Sequence, residues 1–234
     1  MAATTRPPEA VERLDRFDAV ERAAHWATAA LFLVAMATAV ALYLGPVSAA
    51  VGRRALVKDV HVYAGLALPA PVLVAAVGRW GRRFRDDLSR LNRWSEDDVR
   101  WLRSWTRDPL VQSGKFNPGQ KLNAAFTGGA IVLMLATGWI MRWFDPFPLS
   151  WRTGATFVHD WLALALFVTI TGHVVYALRD GHALRSMVRG WVPVAWARRH
   201  APRWLEEVPS PGPEGAAPPV ARSSARPSGA PDGG

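Results

Sequence analysis

The 234-residue sequence contains no cysteine. Without thiols it can form no redox disulfide, bind no iron-sulfur cluster through thiolates and attach no haem covalently through a CxxCH segment. Carboxylates are also missing where they would matter most. Near the long apolar runs only Asp59 and Asp160 come into question, and both sit at a margin. Intramembrane carboxylate pairs and broken inverted repeats, the usual marks of proton relays and transporters, are thus lacking. A soluble globule and a disordered chain fit no better, because half of the residues are hydrophobic, 12 are Trp and the formal charge is +9, with basic and apolar stretches separated along the chain.

Four runs are long enough to cross about 30 Å of hydrocarbon as helices, at about 25 to 44, 60 to 78, 122 to 141 and 156 to 178. The first reads as a retained span, since mixed charge precedes it and no small-residue cleavage site follows a short apolar core. Lys and Arg number four in residues 1 to 24, eleven in 79 to 121 and eight in 179 to 234, against three in 45 to 59 and two in 142 to 155. The positive-inside rule predicts cytoplasmic termini and a cytoplasmic middle loop. The basic excess therefore reads as topology and contact with anionic lipid, not as nucleic-acid binding.

The expected fold is an all-α membrane protein, a four-transmembrane-helix bundle at residues 25 to 204. A cytoplasmic segment, 1 to 24, precedes it, and a tail at 205 to 234, too poor in apolar residues to fold, follows. Within the middle loop, "SEDDVRWLRSWTRDPL" pairs Ser95 with Asp98 as in a capping box and sets Trp101, Leu102 and Trp105 on one face, which predicts a short interfacial helix. Leu184, Met187, Val188 and Trp191, alternating with Arg185 and Arg189, make a similar stretch after the last span.

Histidine is what the spans do contain. His25 opens the first, His61 opens the second, and His159 and His173 share the fourth, whereas His182 and His200 lie in the basic tail and read as surface residues. The second and fourth spans both start on the outer side, so His61 and His159 belong at similar depth there. Fourteen residues further along the fourth helix, about 21 Å, His173 reaches the inner side where His25 lies. Fourteen steps of 100° also bring it back to within about 40° of the direction of His159. Two pairs result, one above the other.

Each pair can hold one iron between two neutral imidazoles, which makes two b-type haems the cofactor expectation. A single buried His serves equally well as hydrogen-bonding glue between helices, but four at matched depths on consistent faces favour ligation. Zinc fits poorly, since its ligands must converge on one point. Gly65, Gly128, Gly129, Gly138 and Gly172 near ligand depth suit either a close macrocycle or close helix packing. Pro69 and Pro71 should bend the second span.

The stretches "ERAAHW", "DVHVYAGL" and "GKFNPGQKLN", with His159 and His173, together resemble the di-haem cytochrome b (gamma) subunit of membrane-bound formate dehydrogenase over about residues 15 to 200. The histidine set alone is shared in part with hydrogenase and thiosulfate-reductase cytochromes, and the "GKFNPGQKLN" stretch makes the likeness specific. A cytochrome b of a hydrogenase or another oxidoreductase remains the alternative, and a haem-free anchor or transporter the alternative from another class.

The resemblance implies a bacterial cytoplasmic (inner) membrane protein. In it, electrons pass from a molybdenum or tungsten catalytic alpha subunit through an iron-sulfur beta subunit to an outer haem on His61 and His159. An inner haem on His25 and His173 and then a quinone, menaquinone or ubiquinone, follow. Asn117 and Gly119 match the family's quinone-contacting loop. Asn117, Gln120 and Lys121 are polar groups suited to a quinone carbonyl, although a turn leading into a helix with a snorkelling Lys121 explains the same residues. The outer segments with Arg53, Arg54, Lys58, Asp145 and Arg152 are the expected docking surface for the partner.

Overall fold

Four long helices dominate the computed structural model, which describes residues 12–104 and 112–208. They are α1 (Ala19–Tyr43), the broken pair α3 (Arg54–Ala67) and α4 (Ala70–Val77), α7 (Pro118–Arg142) and α8 (Leu149–Arg179). Each of the four is long and apolar enough to cross a membrane. All four start before the expected hydrophobic runs, by four to seven residues, because polar caps and first turns lengthen a helix ahead of its apolar core. A short helix, α2 (Gly45–Val51), joins α1 to α3 at one end. Arg54 ties this corner by donating to Leu42 O and Ser48 Oγ, both at 2.9 Å.

The second span breaks where its prolines predict. Pro69 and Pro71 have no N–H to give the helix ladder, and Leu68 N bonds to Gly65 O at 3.2 Å, one residue short of the α-helical partner. Leu68 at this bend joins Phe32, Ala130 and Leu166 in a buried cluster drawn from every span. Elsewhere the spans are apolar outward: Leu33, Val77, Val132, Phe157 and Val168 are all exposed, as surfaces meeting hydrocarbon must be.

At the other end, α5 (Arg82–Asn92) and α6 (Glu96–Ser104) follow the second span, and α9 (Gly181–Arg189), α10 (Val194–His200) and α11 (Pro202–Glu207) follow the fourth. The expected capping box of α6 is present, with Ser95 N donating to Asp98 Oδ2 at 2.8 Å and Asp98 N to Ser95 Oγ at 3.4 Å. Burial alone would raise the Asp98 carboxyl, but hydrogen bonds from Lys121 and Ser95 hold it below its ordinary value. Trp105, expected on the face of Trp101 and Leu102, lies outside the described residues.

Two features depart from the expectation. The fold is not wholly helical, since β1 (Arg13–Asp15) pairs antiparallel with β2 (Trp191–Pro193), Leu14 opposite Val192. Arg16 N and Phe17 N extend this ribbon by donating to Gly190 O at 2.7 and 2.9 Å. Gly190 has φ +90°, a left-handed conformation, and a Cβ there would press on Arg22 and Phe17 O, so only glycine serves at that turn. The expected tail boundary at residue 205 also falls inside α11. Trp204 is buried with Leu14, Val192, Val194, Trp196 and Ala197, and Leu205 packs against that cluster, so apolar contact keeps the chain folded through Glu207. The tail beyond residue 208 lies outside the described residues.

Candidate functional site

The capping box that starts α1 sets the position of the first histidine. Asp18 Oδ1 accepts from Glu21 N at 2.9 Å and Glu21 Oε2 accepts from Asp18 N at 2.6 Å, and one turn later His25 faces α8. Its ring lies 6.3 Å, centroid to centroid, from that of His173, and the planes are inclined at 57°. Nearer the other end of α8, His159 lies 6.3 Å from His61 of α3, with planes at 68°. The structure thus brings together the same two couples that depth and helical phase predict.

The equal spacing is informative about what each couple can hold. Imidazole nitrogens sit about 2 Å from a first-row metal, and each ring centre lies about 1 Å behind its nitrogen, so one iron between two imidazoles separates the centroids by roughly 6 Å. Hydrogen-bonded histidines without a metal would approach more closely.

The couple of His61 and His159 also has its tautomers set. Thr38 Oγ1 lies 3.0 Å from His61 Nδ1, and Thr137 Oγ1 lies 2.9 Å from His159 Nδ1. Each hydroxyl gives its one proton to its own helix, Thr38 to Val34 O at 2.7 Å and Thr137 to Leu133 O at 2.7 Å. Only lone pairs remain for the rings, so each Nδ1 carries the hydrogen and donates it. Ala35 O, 3.1 Å from His61 Nδ1, can likewise only accept. Nε2 of both rings is then unprotonated, as a metal ligand must be. Gly138 adjoins this couple, a Cβ there lying 3.5 Å from His159 Cε1, whereas a Cβ on Gly65, Gly128, Gly129 or Gly172 would meet nothing within 4 Å.

The "GKFNPGQKLN" loop caps α7. Asn117 Oδ1 accepts from Gln120 N at 2.9 Å and Gln120 Oε1 accepts from Asn117 N at 3.0 Å, so both oxygens serve the helix terminus, and among the described residues neither amide NH2 has an acceptor. Gly119 fits beneath Trp101 of α6, with a Cβ reaching the ring at 3.5 Å. Lys121 does not snorkel freely, since its Nζ donates to Arg93 O and Asp98 Oδ2, both at 2.8 Å.

Sequence reasoning did not find the buried charge cluster beside this loop. Lys115 forms an ion pair with Asp87 of α5 and lies 3.6 Å from Glu21 Oε1. Arg16 donates to Lys115 O at 3.2 Å and stacks 4.7 Å from the Trp196 ring. Burial pulls the Arg16 guanidinium down to about 10, with Asp180 and Asp87 opposing the shift. The signal available in the sequence was a lysine and an acid each one turn or less from a proposed site residue, which many surface segments share.

Four helices long and apolar enough to cross a membrane carry two facing histidine couples, the arrangement that a membrane cytochrome b requires. A family model described as prokaryotic cytochrome b561 matches residues 16–190, and the chain belongs to that family. Its cofactor is accordingly haem b, and it is an integral membrane protein. Among its relatives, the formate dehydrogenase cytochrome b556(fdo) subunit of Escherichia coli K12 is 30% identical over 206 residues, covering 82% of this chain and 92% of the relative. The formate dehydrogenase cytochrome b556 subunit of Haemophilus influenzae is 27% identical over 203 residues, 83% of each chain. The nitrate-inducible cytochrome b556(Fdn) subunit of formate dehydrogenase from E. coli K12 is 22% identical over 201 residues, 81% of this chain and 88% of the relative.

Proposed function

We propose that this chain is the membrane cytochrome b subunit of a formate dehydrogenase, taking electrons from an iron-sulfur subunit and delivering them to a membrane quinone. The observation that carries this reading is the pair of equally spaced histidine couples, stacked along α8 in a chain related over most of its length to such subunits. His61 and His159 would hold the outer haem, and His25 and His173 the inner one. When bound, each haem supplies a one-electron couple. Phe32, Leu68, Ala130 and Leu166 pack between the two levels and exclude water there.

In the same reading, the termini and the cluster around Lys115 face the cytoplasm of a bacterium, and the outer loops dock the beta and alpha subunits. The acceptor at the Asn117 loop would be menaquinone or ubiquinone. The NH2 groups of Asn117 and Gln120, which have no partner among the described residues, suit a quinone carbonyl. Lys121 and Gly119 would support the loop, since their contacts are with α6 and the turn before it.

The test is stoichiometric. Purified chain should contain two haems per polypeptide in a reduced-minus-oxidised spectrum, both removed by acidic acetone; one haem, or none, in an intact preparation would overturn the reading.

The quinone assignment is tested separately. Asn117→Asp keeps the oxygen that caps α7 and removes the NH2 donor, so formate-to-quinone turnover should fall about tenfold while both haems stay bound and reducible by formate. Full quinone turnover in Asn117→Asp and Asn117→Ala would return the loop to a purely capping role.

A further inference from the structure

The two histidine couples share their 6.3 Å ring spacing but differ at Nδ1. In the outer couple each ring donates to a threonine of a neighbouring helix, Thr38 from α1 and Thr137 from α7. Among the described residues neither His25 nor His173 makes such a bond. Thr38 and Thr137 lie on the two helices that flank the couple, so one acceptor braces each ring.

We infer that Thr38 and Thr137 are positioning residues that hold the outer rings with Nε2 aimed at the iron and lower the reduction potential of the outer haem alone. This rests on the haem-binding reading proposed above. The physical reason is the sharing of the Nδ1 proton. An acceptor on that proton gives the imidazole partial imidazolate character, makes Nε2 a stronger donor and stabilises the ferric over the ferrous iron. A ring without an acceptor keeps its proton fully and leaves the potential higher. The bias therefore runs from outer to inner, the direction in which electrons must travel to a quinone at the Asn117 loop.

The hydroxyl proton cannot turn round to oppose this. It points to the carbonyl one turn back in each helix, and a neutral imidazole that gives Nε2 to iron must carry its hydrogen on Nδ1, so the threonine oxygen meets that hydrogen as an acceptor. The two threonines are also unequal. His61 Nδ1 keeps Ala35 O at 3.1 Å as a second acceptor, whereas among the described residues His159 Nδ1 has only Thr137. Removing Thr137 should therefore have the larger effect.

Spectroelectrochemical titration of the full chain with its haems tests this. The outer haem is identified as the component lost in His61→Ala. Thr137→Val keeps the side-chain shape and removes the acceptor, and should raise the outer potential by about tenfold in the one-electron equilibrium, roughly 59 mV. Thr38→Val should shift it in the same direction by less. Thr137→Ser should restore the native value, and the inner potential should not move in any variant. Loss of the outer haem in Thr137→Val but not in Thr137→Ser would support the same role through ring orientation. An unchanged outer potential in Thr137→Val with two haems bound, or equal shifts of both haems, would overturn the inference while leaving the haem-binding reading intact. Native chain without two haems would instead overturn that reading.

Discussion

Substituting His61 by alanine in the assembled complex should abolish formate-dependent quinone reduction, leaving formate oxidation by a soluble dye acceptor at its native rate. His61 and His159 form the couple nearer the proposed partner face, and His173 lies about 21 Å further along α8. Without His61, only His159 would remain to hold the outer haem, and electrons would have to cross the whole of that added distance in one step. Turnover to quinone should fall to background, a larger change than any single hydrogen bond could cause. His25→Ala is the complementary experiment, since it removes the inner couple and should leave the outer haem reducible by formate. If folded His25→Ala protein lost formate reduction of both haems equally, the order of the two couples would be wrong.

The second large effect concerns stability. Lys115 is set between Glu21 and Asp87, with the three side chains only 6, 5 and 10% exposed. Replacing Lys115 by methionine leaves Glu21 and Asp87 facing each other without the cation between them, Arg90 reaching only Asp87 Oδ1 at 3.8 Å. Removing one partner of a buried ion pair costs about 3–5 kcal/mol, on the order of 10 °C in the midpoint for a chain of this size. Lowering the pH should narrow the difference from the native protein, because a protonated carboxyl needs no cation. Arg100→Met is the control: Arg100 meets Asp97 at 3.5 Å with its side chain 54% exposed, and such a surface pair is worth about 0–1 kcal/mol. Thermal denaturation of the detergent-solubilised haem protein would read both. Equal midpoints for Lys115→Met and the native chain would mean that the cluster stabilises nothing.

Much of this molecule is legible in one dimension because its strongest signals are periodic and local. Runs of apolar residues long enough to cross hydrocarbon become helices wherever they occur, since no water is present to satisfy an unpaired backbone. The positions of His25, His61, His159 and His173 within those runs dictate their depth, and the 100° step of the helix dictates that His159 and His173 share a face. Pro69 and Pro71 announce their own break because the missing N–H is a property of the residue. Asn117 with Gln120, and Ser95 with Asp98, are three apart, within reach of a single helical turn.

What the sequence determined by itself was therefore the four spans, the levels of the histidines and the bend in the second span, all consequences of hydropathy and helical repeat. Only the tertiary structure decided that Thr38 and Thr137 accept from the imidazoles of His61 and His159, because partners 23 and 22 residues apart meet through the rotation of one helix against another. It alone turned Lys121 towards Asp98, gathered Lys115, Asp87 and Glu21 into one buried cluster and paired β1 with β2 across most of the chain. Each of these depends on where side chains of unlike segments come to rest once the bundle has packed, and no local repeat encodes that.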